Sequence, residues 1–338
     1  MDVAILVLGM FIGGDPPTAK DAHAVWQSQL NEASSFLAGR EYLKAEAAYG
    51  GALKTASELE PSELYRGITL NDLGILFQDL GRYIDAEKLF LQSLSVLERR
   101  YGTSDRVVVR AGANLVSLYL ETQQITKAES ILLPLIPSQE SVPAGPDGPI
   151  LLSDLASVRA GQGRLEAAEL LFRRVIDALD KTPQEEYREE LAIAMTDLSE
   201  VYKKDHRFPE ALEWAARAER IMETVANPFP RAVIKILNNL AEISAESGKL
   251  PEAAGLFVRA INYTETTLGR EHPVLGGILR NYAAVLHQTK NRGEARKIAK
   301  RANAILEKSR RENLEGYTIE ASVLANPSGK PAILAIKP

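Results

Sequence analysis

The chain has 338 residues, of which 25 % are charged and 45 % hydrophobic, with a formal net charge of −5 and a pI of about 5.6. These values are typical of a soluble folded protein and argue against a general nucleic-acid binder, which needs clustered Lys and Arg to displace counterions. Cysteine is absent, which excludes disulfides, zinc–thiolate sites and thiol chemistry.

Residues 1–24 carry the features of a leader segment. The apolar run from Val3 to Ile12 is too short to span a bilayer, so no stable membrane span is expected, and it has the length of a signal-peptide core. Ala22-His23-Ala24 resembles a cleavage site, whereas Asp2 stands where a basic residue is usual. The pattern favours export to a compartment such as the periplasm over a cytoplasmic location. The alternatives are an apolar leader that packs on the first helix, or a start site that lacks its basic residues.

A repeat of about 42 residues covers the chain from residue 25 to 311. Segments that read Gly-Arg-Tyr-x-x-Ala-Glu, or similar, align on one alanine each, and successive alanines are 40 to 43 residues apart. Such a period is typical of solenoids, in which each unit is a helical hairpin that buries its apolar face against its neighbours. The seven anchor alanines are Ala45, Ala86, Ala128, Ala168, Ala211, Ala253 and Ala295.

The residues around each anchor predict two helices per repeat. Large side chains three residues before and four after the anchor, with small residues seven after it, share one face of a helix, which we name helix B. A leucine thirteen residues before the anchor, as in Leu73 and Leu240, marks the core face of a preceding helix A. Glycines such as Gly81, Gly163 and Gly248 lie between the two, where a left-handed residue commonly ends a helix.

This order of leucine, small, aromatic, glycine, tyrosine, alanine, phenylalanine and alanine resembles the tetratricopeptide pattern, although its period exceeds the usual length of about 34 residues. Leu-Asn-Asn-Leu-Ala at 237–241 and Leu-Gly-Arg-Glu-His-Pro at 268–273 are similar to the longer repeat of kinesin light chains and many bacterial proteins. The resemblance implies an all-α, right-handed superhelical solenoid of about seven helix-turn-helix repeats.

Two regions depart from the repeat. Residues 134–149 hold five prolines, which cannot continue an α-helix, yet the anchor spacing across them is 40 residues and so not lengthened. The third helix B should therefore be shortened, with a local change of superhelical curvature. In residues 312–338 apolar and polar side chains alternate before Asn326-Pro327-Ser328-Gly329, which predicts either a small capping hairpin or a poorly ordered tail.

A column of Asn or Asp occurs fourteen residues before every anchor. By the resemblance this position lies on helix A, on the concave groove, where amides could grip the backbone of an extended peptide. The alternative is that the column ties adjacent helices together by hydrogen bonds. Lys235 and Arg280, near Asn239 and Asn281, form a candidate grip for a carboxylate. The column is Asn31, Asp72, Asn114, Asp154, Asp197, Asn239 and Asn281.

Nothing in the sequence indicates catalysis, a metal or a cofactor. The four histidines occur in no recognisable metal or triad motif, and His206 and His272 are expected at the surface. The sequence therefore predicts a non-catalytic scaffold that binds a protein or peptide partner, not nucleic acid. A structural or self-assembling subunit is the second hypothesis and an unrecognised enzyme the third, while the partner and the oligomeric state are left open.

Overall fold

The computed structural model describes residues 19–39, 41–136, 147–181, 187–226 and 228–315. In these ranges every regular element is a helix, and the helices succeed one another as seven helix-turn-helix pairs. Odd-numbered helices are the A helices and even-numbered helices the B helices of the repeats, which confirms the predicted all-α repeat architecture. The α-helices are α1 (Ala19–Ala38), α2 (Tyr42–Ala56), α3 (Ser62–Asp79), α4 (Tyr83–Tyr101), α5 (Arg106–Glu121), α6 (Ile125–Leu132), α7 (Gly148–Gly161), α8 (Leu165–Asp180), α9 (Arg188–Lys204), α10 (Phe208–Met222), α11 (Pro230–Glu246), α12 (Leu250–Thr267), α13 (Pro273–Gln288) and α14 (Arg292–Glu315).

Small residues let the two helices of a repeat pack closely. All seven anchor alanines are buried. Gly74 of α3 faces the Phe90 ring of α4 so closely that a Cβ atom built on the glycine would lie 2.7 Å from the ring. The pairing of small with large side chains that the sequence predicted therefore holds the hairpin together by dense packing.

The turn between the two helices uses the same backbone conformation in six repeats. The residue five positions before the anchor has a positive φ there, which ends the A helix in a left-handed turn. Glycine meets this requirement without strain, whereas the same conformation costs other residues about 1–2 kcal/mol. The six residues are Gly81, Gln123, Gly163, His206, Gly248 and Lys290.

The third B helix is short, as the prolines predicted. Helix α6 has eight residues and ends in a 3₁₀ turn, Leu133–Leu135, that contains Pro134. Helix α7 then begins at Gly148, next to Pro149. Residues 137–146 of the predicted proline-rich loop lie outside the described residues, and the predicted change of curvature stays a prediction.

The contacts divide the chain into two compact units. Unit 1 comprises the described residues up to Leu118 together with residues 313–315, and unit 2 comprises Tyr119–Glu312. In unit 1, Trp26 of α1 is fully buried, and its indole N–H donates to the Thr69 hydroxyl at 2.9 Å. The His23 ring lies 5.7 Å from the rings of Trp26 and Tyr65. This cluster attaches α1 to α3.

The structure describes only part of each of the two predicted terminal segments. The apolar run of the predicted leader lies outside the described residues, whereas Ala22-His23-Ala24 belongs to helix α1. The predicted hairpin of residues 312–338 also lies outside them, apart from the end of α14 at Glu315. None of the helices described is both long and apolar enough to cross a bilayer.

Candidate functional site

The A helices form the inner layer of unit 2. Helix α9 contacts α7 and α11, and α11 contacts α13, in addition to the contacts between A and B helices. The Arg259–Glu219 ion pair joins the B helices α12 and α10 at 2.8 Å, but in the described ranges the backbones of α8, α10 and α12 do not approach one another as closely as those of the A helices. The unit therefore curves toward its A helices, and we call the surface that these helices present the inner face.

Two aspartates of the column lie on neighbouring A helices of this face. Asp197 of α9 accepts a hydrogen bond from the Lys235 ammonium of α11 at 2.5 Å. Asp154 of α7 has a buried Oδ2 with no hydrogen-bond partner among the described residues. Burial, with a smaller contribution from the Asp197 carboxylate, raises the pKa of Asp154 to about 8, although Lys235 acts in the opposite direction. Burial also raises the pKa of Asp197, and Lys235 reverses only part of this effect. The Lys235 ammonium therefore offsets only part of the effect that burial has on this pair of carboxyls.

The asparagines further along the column bind neighbouring helices. The Asn239 side chain is 6 % exposed, and its Nδ2 donates to the Ser199 Oγ at 2.6 Å and to the Thr196 carbonyl at 3.3 Å. Asn281 donates to the Glu242 Oε1 at 2.7 Å. Each of these bonds joins one A helix to the preceding one, so the amides strengthen the stacking of repeats five to seven.

In unit 1 the column has no uniform environment. Asp72 is fully buried, its Oδ1 accepts a hydrogen bond from Asn71 at 3.3 Å, and its Oδ2 has no partner in the part of the chain that the structure describes. Asn114 donates to the Asn71 Oδ1 at 2.9 Å, which connects α5 to α3. Asn31 is exposed and accepts a long hydrogen bond, 3.4 Å, from Gln27 of the same helix.

The predicted column thus includes two kinds of position. Asp72 and Asn239 are buried between helices and offer no surface to a partner, which corresponds to the second interpretation of the column. Two members of the candidate carboxylate grip already have partners, because Lys235 binds Asp197 and Asn281 binds Glu242. The grip therefore does not offer all its donors together to a carboxylate. Arg280 is exposed. A partner-binding role of the column stays a prediction.

His272 corrects one expectation from the sequence. It is 7 % exposed rather than a surface residue, and its Nδ1 accepts a hydrogen bond from the Val274 N–H at 3.2 Å, which caps helix α13. His206 is exposed, in the turn between α9 and α10. Within the described ranges, no group of three or more His, Asp or Glu residues is arranged to hold a metal ion.

Sequence reasoning also missed the pairing of Arg231, at the start of α11, with Glu121, at the end of α5. The Arg231 Nη2 donates to the Glu121 Oε1. The two residues are 110 positions apart, so no local spacing could have connected them.

Comparisons with known proteins identify the family. The family model described as tetratricopeptide repeat matches residues 27–99, 149–224 and 233–308, which together exceed half of the chain. A comparison with curated proteins finds no match to the sequence.

Solved structures resemble the chain at low sequence identity. A Rap protein complexed with competence and sporulation factor has a TM-score of 0.63 at 12 % identity, over 88 % of this chain and 78 % of the other. The Rap conjugation gene regulator of plasmid pLS20, in complex with the Phr* peptide, has a TM-score of 0.60 at 12 % identity, over 92 % and 82 %. A putative kinesin light chain from Podosopora anserina with TPR-like repeats has a TM-score of 0.44 at 20 % identity, over 60 % and 97 %. The resemblance predicted from the sequence is confirmed, and the chain belongs to the tetratricopeptide repeat family.

Proposed function

We propose that the protein is a non-catalytic scaffold that binds an extended segment of another protein on the inner face of unit 2. The observation that carries the proposal is the presence of two buried polar atoms on the A helices α7 and α11 that have no hydrogen-bond partner among the described residues, the Asp154 Oδ2 and the Asn238 Oδ1. Buried polar atoms in folded proteins nearly always have a partner, and an unmet one costs about 1–3 kcal/mol.

The chemistry of such acceptors favours an extended segment. A peptide in extended conformation presents backbone N–H groups that no helix or sheet of its own satisfies, and carboxylate and amide oxygens can accept from them. Asp154 is the stronger acceptor when it is ionised, and a donor from a partner would favour that form. The Lys235 ammonium already pairs with the adjacent Asp197. A hydrogen-bond donor from a partner would therefore stabilise the ionised form of Asp154 more than that of Asp197.

Two further facts support the proposal. Repeats of this family stack into surfaces that commonly bind proteins. Two Rap proteins of similar fold have been solved in complex with competence and sporulation factor and with the Phr* peptide.

Site-specific photo-crosslinking in native cells would test the proposal. A crosslinking amino acid at Arg280, exposed on α13, should capture a partner, whereas one at Leu170, exposed on the B helix α8, should not. Equal capture at both positions, or capture at Leu170 alone, would contradict binding on the inner face.

Binding affinity then tests the role of Asp154. With the captured segment as a purified peptide, Asp154→Asn should weaken binding roughly tenfold, because a hydrogen bond to a charged group is worth about 1.5–3 kcal/mol. The matched control is Asp177→Asn on α8, whose side chain is exposed and pairs with Lys181 of the same helix. An unchanged affinity for Asp154→Asn would remove this residue from the proposed site.

A further inference from the structure

An ion pair in unit 2 joins two A helices that are not neighbours. Glu121 is the last residue of α5 and Arg231 the second residue of α11, and their side chains are 26 % and 18 % exposed. Both belong to the same compact unit. The A helices α7 and α9 lie between them in the order of repeats.

This separation is unusual for a solenoid. Each repeat in such an architecture contacts mainly its immediate neighbours. The other polar contacts of the inner face follow that rule, since Lys235 binds Asp197 of the preceding A helix and Asn281 binds Glu242 of the preceding one. The Glu121–Arg231 pair instead connects the third repeat with the sixth, past the A helices α7 and α9 of the two repeats between them.

We propose that the Glu121–Arg231 pair closes the inner face of unit 2 and thereby controls access to the surface around Asp154. The inference rests on the proposed function, because it concerns the route to the same face. A partner segment enters only when the pair is open, so the pair sets the fraction of molecules that can bind.

The strength of the pair suits such a role. A partly exposed ion pair contributes little to stability and is weakened by salt, so that it can open without unfolding the repeats that carry it. Loss of the pair should raise the open population roughly 1.5- to fivefold, the ratio that corresponds to a surface ion pair.

Spin-label distances test the closure directly, and the absence of native cysteine makes the labelling specific. Thr126→Cys lies in the first turn of α6 and Ala226→Cys in the segment before α11, and both positions are exposed and close in sequence to the paired residues. Labels on these two cysteines report the separation of the chain segments next to Glu121 and Arg231. Glu121→Gln or Arg231→Gln should shift the distance distribution to longer values, and the exchanged pair Glu121→Arg with Arg231→Glu should restore it. A distribution that no variant changes, or one that the exchange does not restore, would overturn the closing role.

Alkylation rates test the control of access. In an otherwise unmodified chain, Asp154→Cys should react slowly with iodoacetamide. The addition of Glu121→Gln should raise the rate roughly 1.5- to fivefold, in proportion to the open population. The control Asp177→Cys, exposed on α8, should react equally fast in both backgrounds. Equal rates for the Asp154→Cys variant with and without Glu121→Gln would refute the inference.

Salt provides a second route that does not depend on the folding of the variants. In roughly 1 M NaCl the unmodified pair should weaken, and the labelled chain should show the same longer distances as the Gln variants. An unchanged distribution at high salt would count against the proposal. No partner is used in any of these measurements, so their failure would leave the proposed binding function untouched, and failure of the crosslinking would leave the closure untouched.

Discussion

Replacing Asp72 by Asn should make the stability of unit 1 less dependent on pH. The Asp72 side chain is fully buried, and its Oδ2 has no hydrogen-bond partner among the described residues. Burial raises the pKa of this carboxyl to about 8, although the hydrogen bond from the Asn71 amide acts in the opposite direction. Asp72 is therefore mostly protonated in the folded protein at neutral pH, and asparagine imitates that neutral form.

The sign and the size of the effect follow from proton binding. An unfolded aspartate loses its proton near a pH of about 3.9, whereas the folded protein keeps the Asp72 proton up to about pH 8. Between these values the folded state binds one more proton than the unfolded state, so the free energy of unfolding falls as the pH rises. The decrease is about 1.4 kcal/mol per pH unit, or roughly 3 kcal/mol between pH 5 and pH 7.

Urea unfolding followed by helical circular dichroism at several pH values between about 5 and 8 measures this dependence. Between pH 5 and pH 7 the free energy of unfolding of Asp72→Asn should fall by roughly 3 kcal/mol less than that of the unmodified protein. The matched variant Asp177→Asn, whose carboxylate is exposed, should follow the unmodified protein. The pKa of Asp154 is raised as well, so this carboxyl should cause a similar decrease in the free energy of unfolding, and that decrease should remain in both variants. If Asp72→Asn showed the same pH dependence as the unmodified protein, the assignment of a buried neutral carboxyl to Asp72 would be refuted.

Four further substitutions test the packing of the repeats by thermal denaturation. His206→Gly should stabilise the protein by up to about 1 kcal/mol, because His206 has a φ of 58°, and a lower Tm would contradict this. Gly74→Ala should lower stability by about 1–3 kcal/mol, because its Cβ atom would lie 2.7 Å from the Phe90 ring. Gly277→Ala, whose Cβ atom would have no neighbour within 4 Å, should stabilise α13 by about 1 kcal/mol. Similar effects at both glycines would exclude the packing explanation. Asn239→Ala should lower stability by about 1–3 kcal/mol through its lost buried hydrogen bonds, and an unchanged Tm would contradict their role in joining α11 to α9.

The sequence determined the repeat itself. Helical hairpins are local structures, and the features that produce them recur within each stretch of about 42 residues, so the seven anchors could be aligned without coordinates. The burial of Ala45 and Ala253, the left-handed turn at Gly163 and the short α6 next to Pro134 all follow from these local features. Small residues and turn glycines act on the residues beside them, which is why their effect can be read from the order of the chain.

Only the tertiary structure decided what each column residue does. Asn31 and Asp72 occupy the same repeat position, yet one is exposed and the other fully buried, because burial depends on the helices that pack against each site. The pairing of Glu121 with Arg231 depends on the curvature that several stacked repeats accumulate, and curvature is a sum of small rotations that no single motif encodes. Local periodicity therefore specifies the hairpins, and their stacking specifies which polar side chains remain available to a partner.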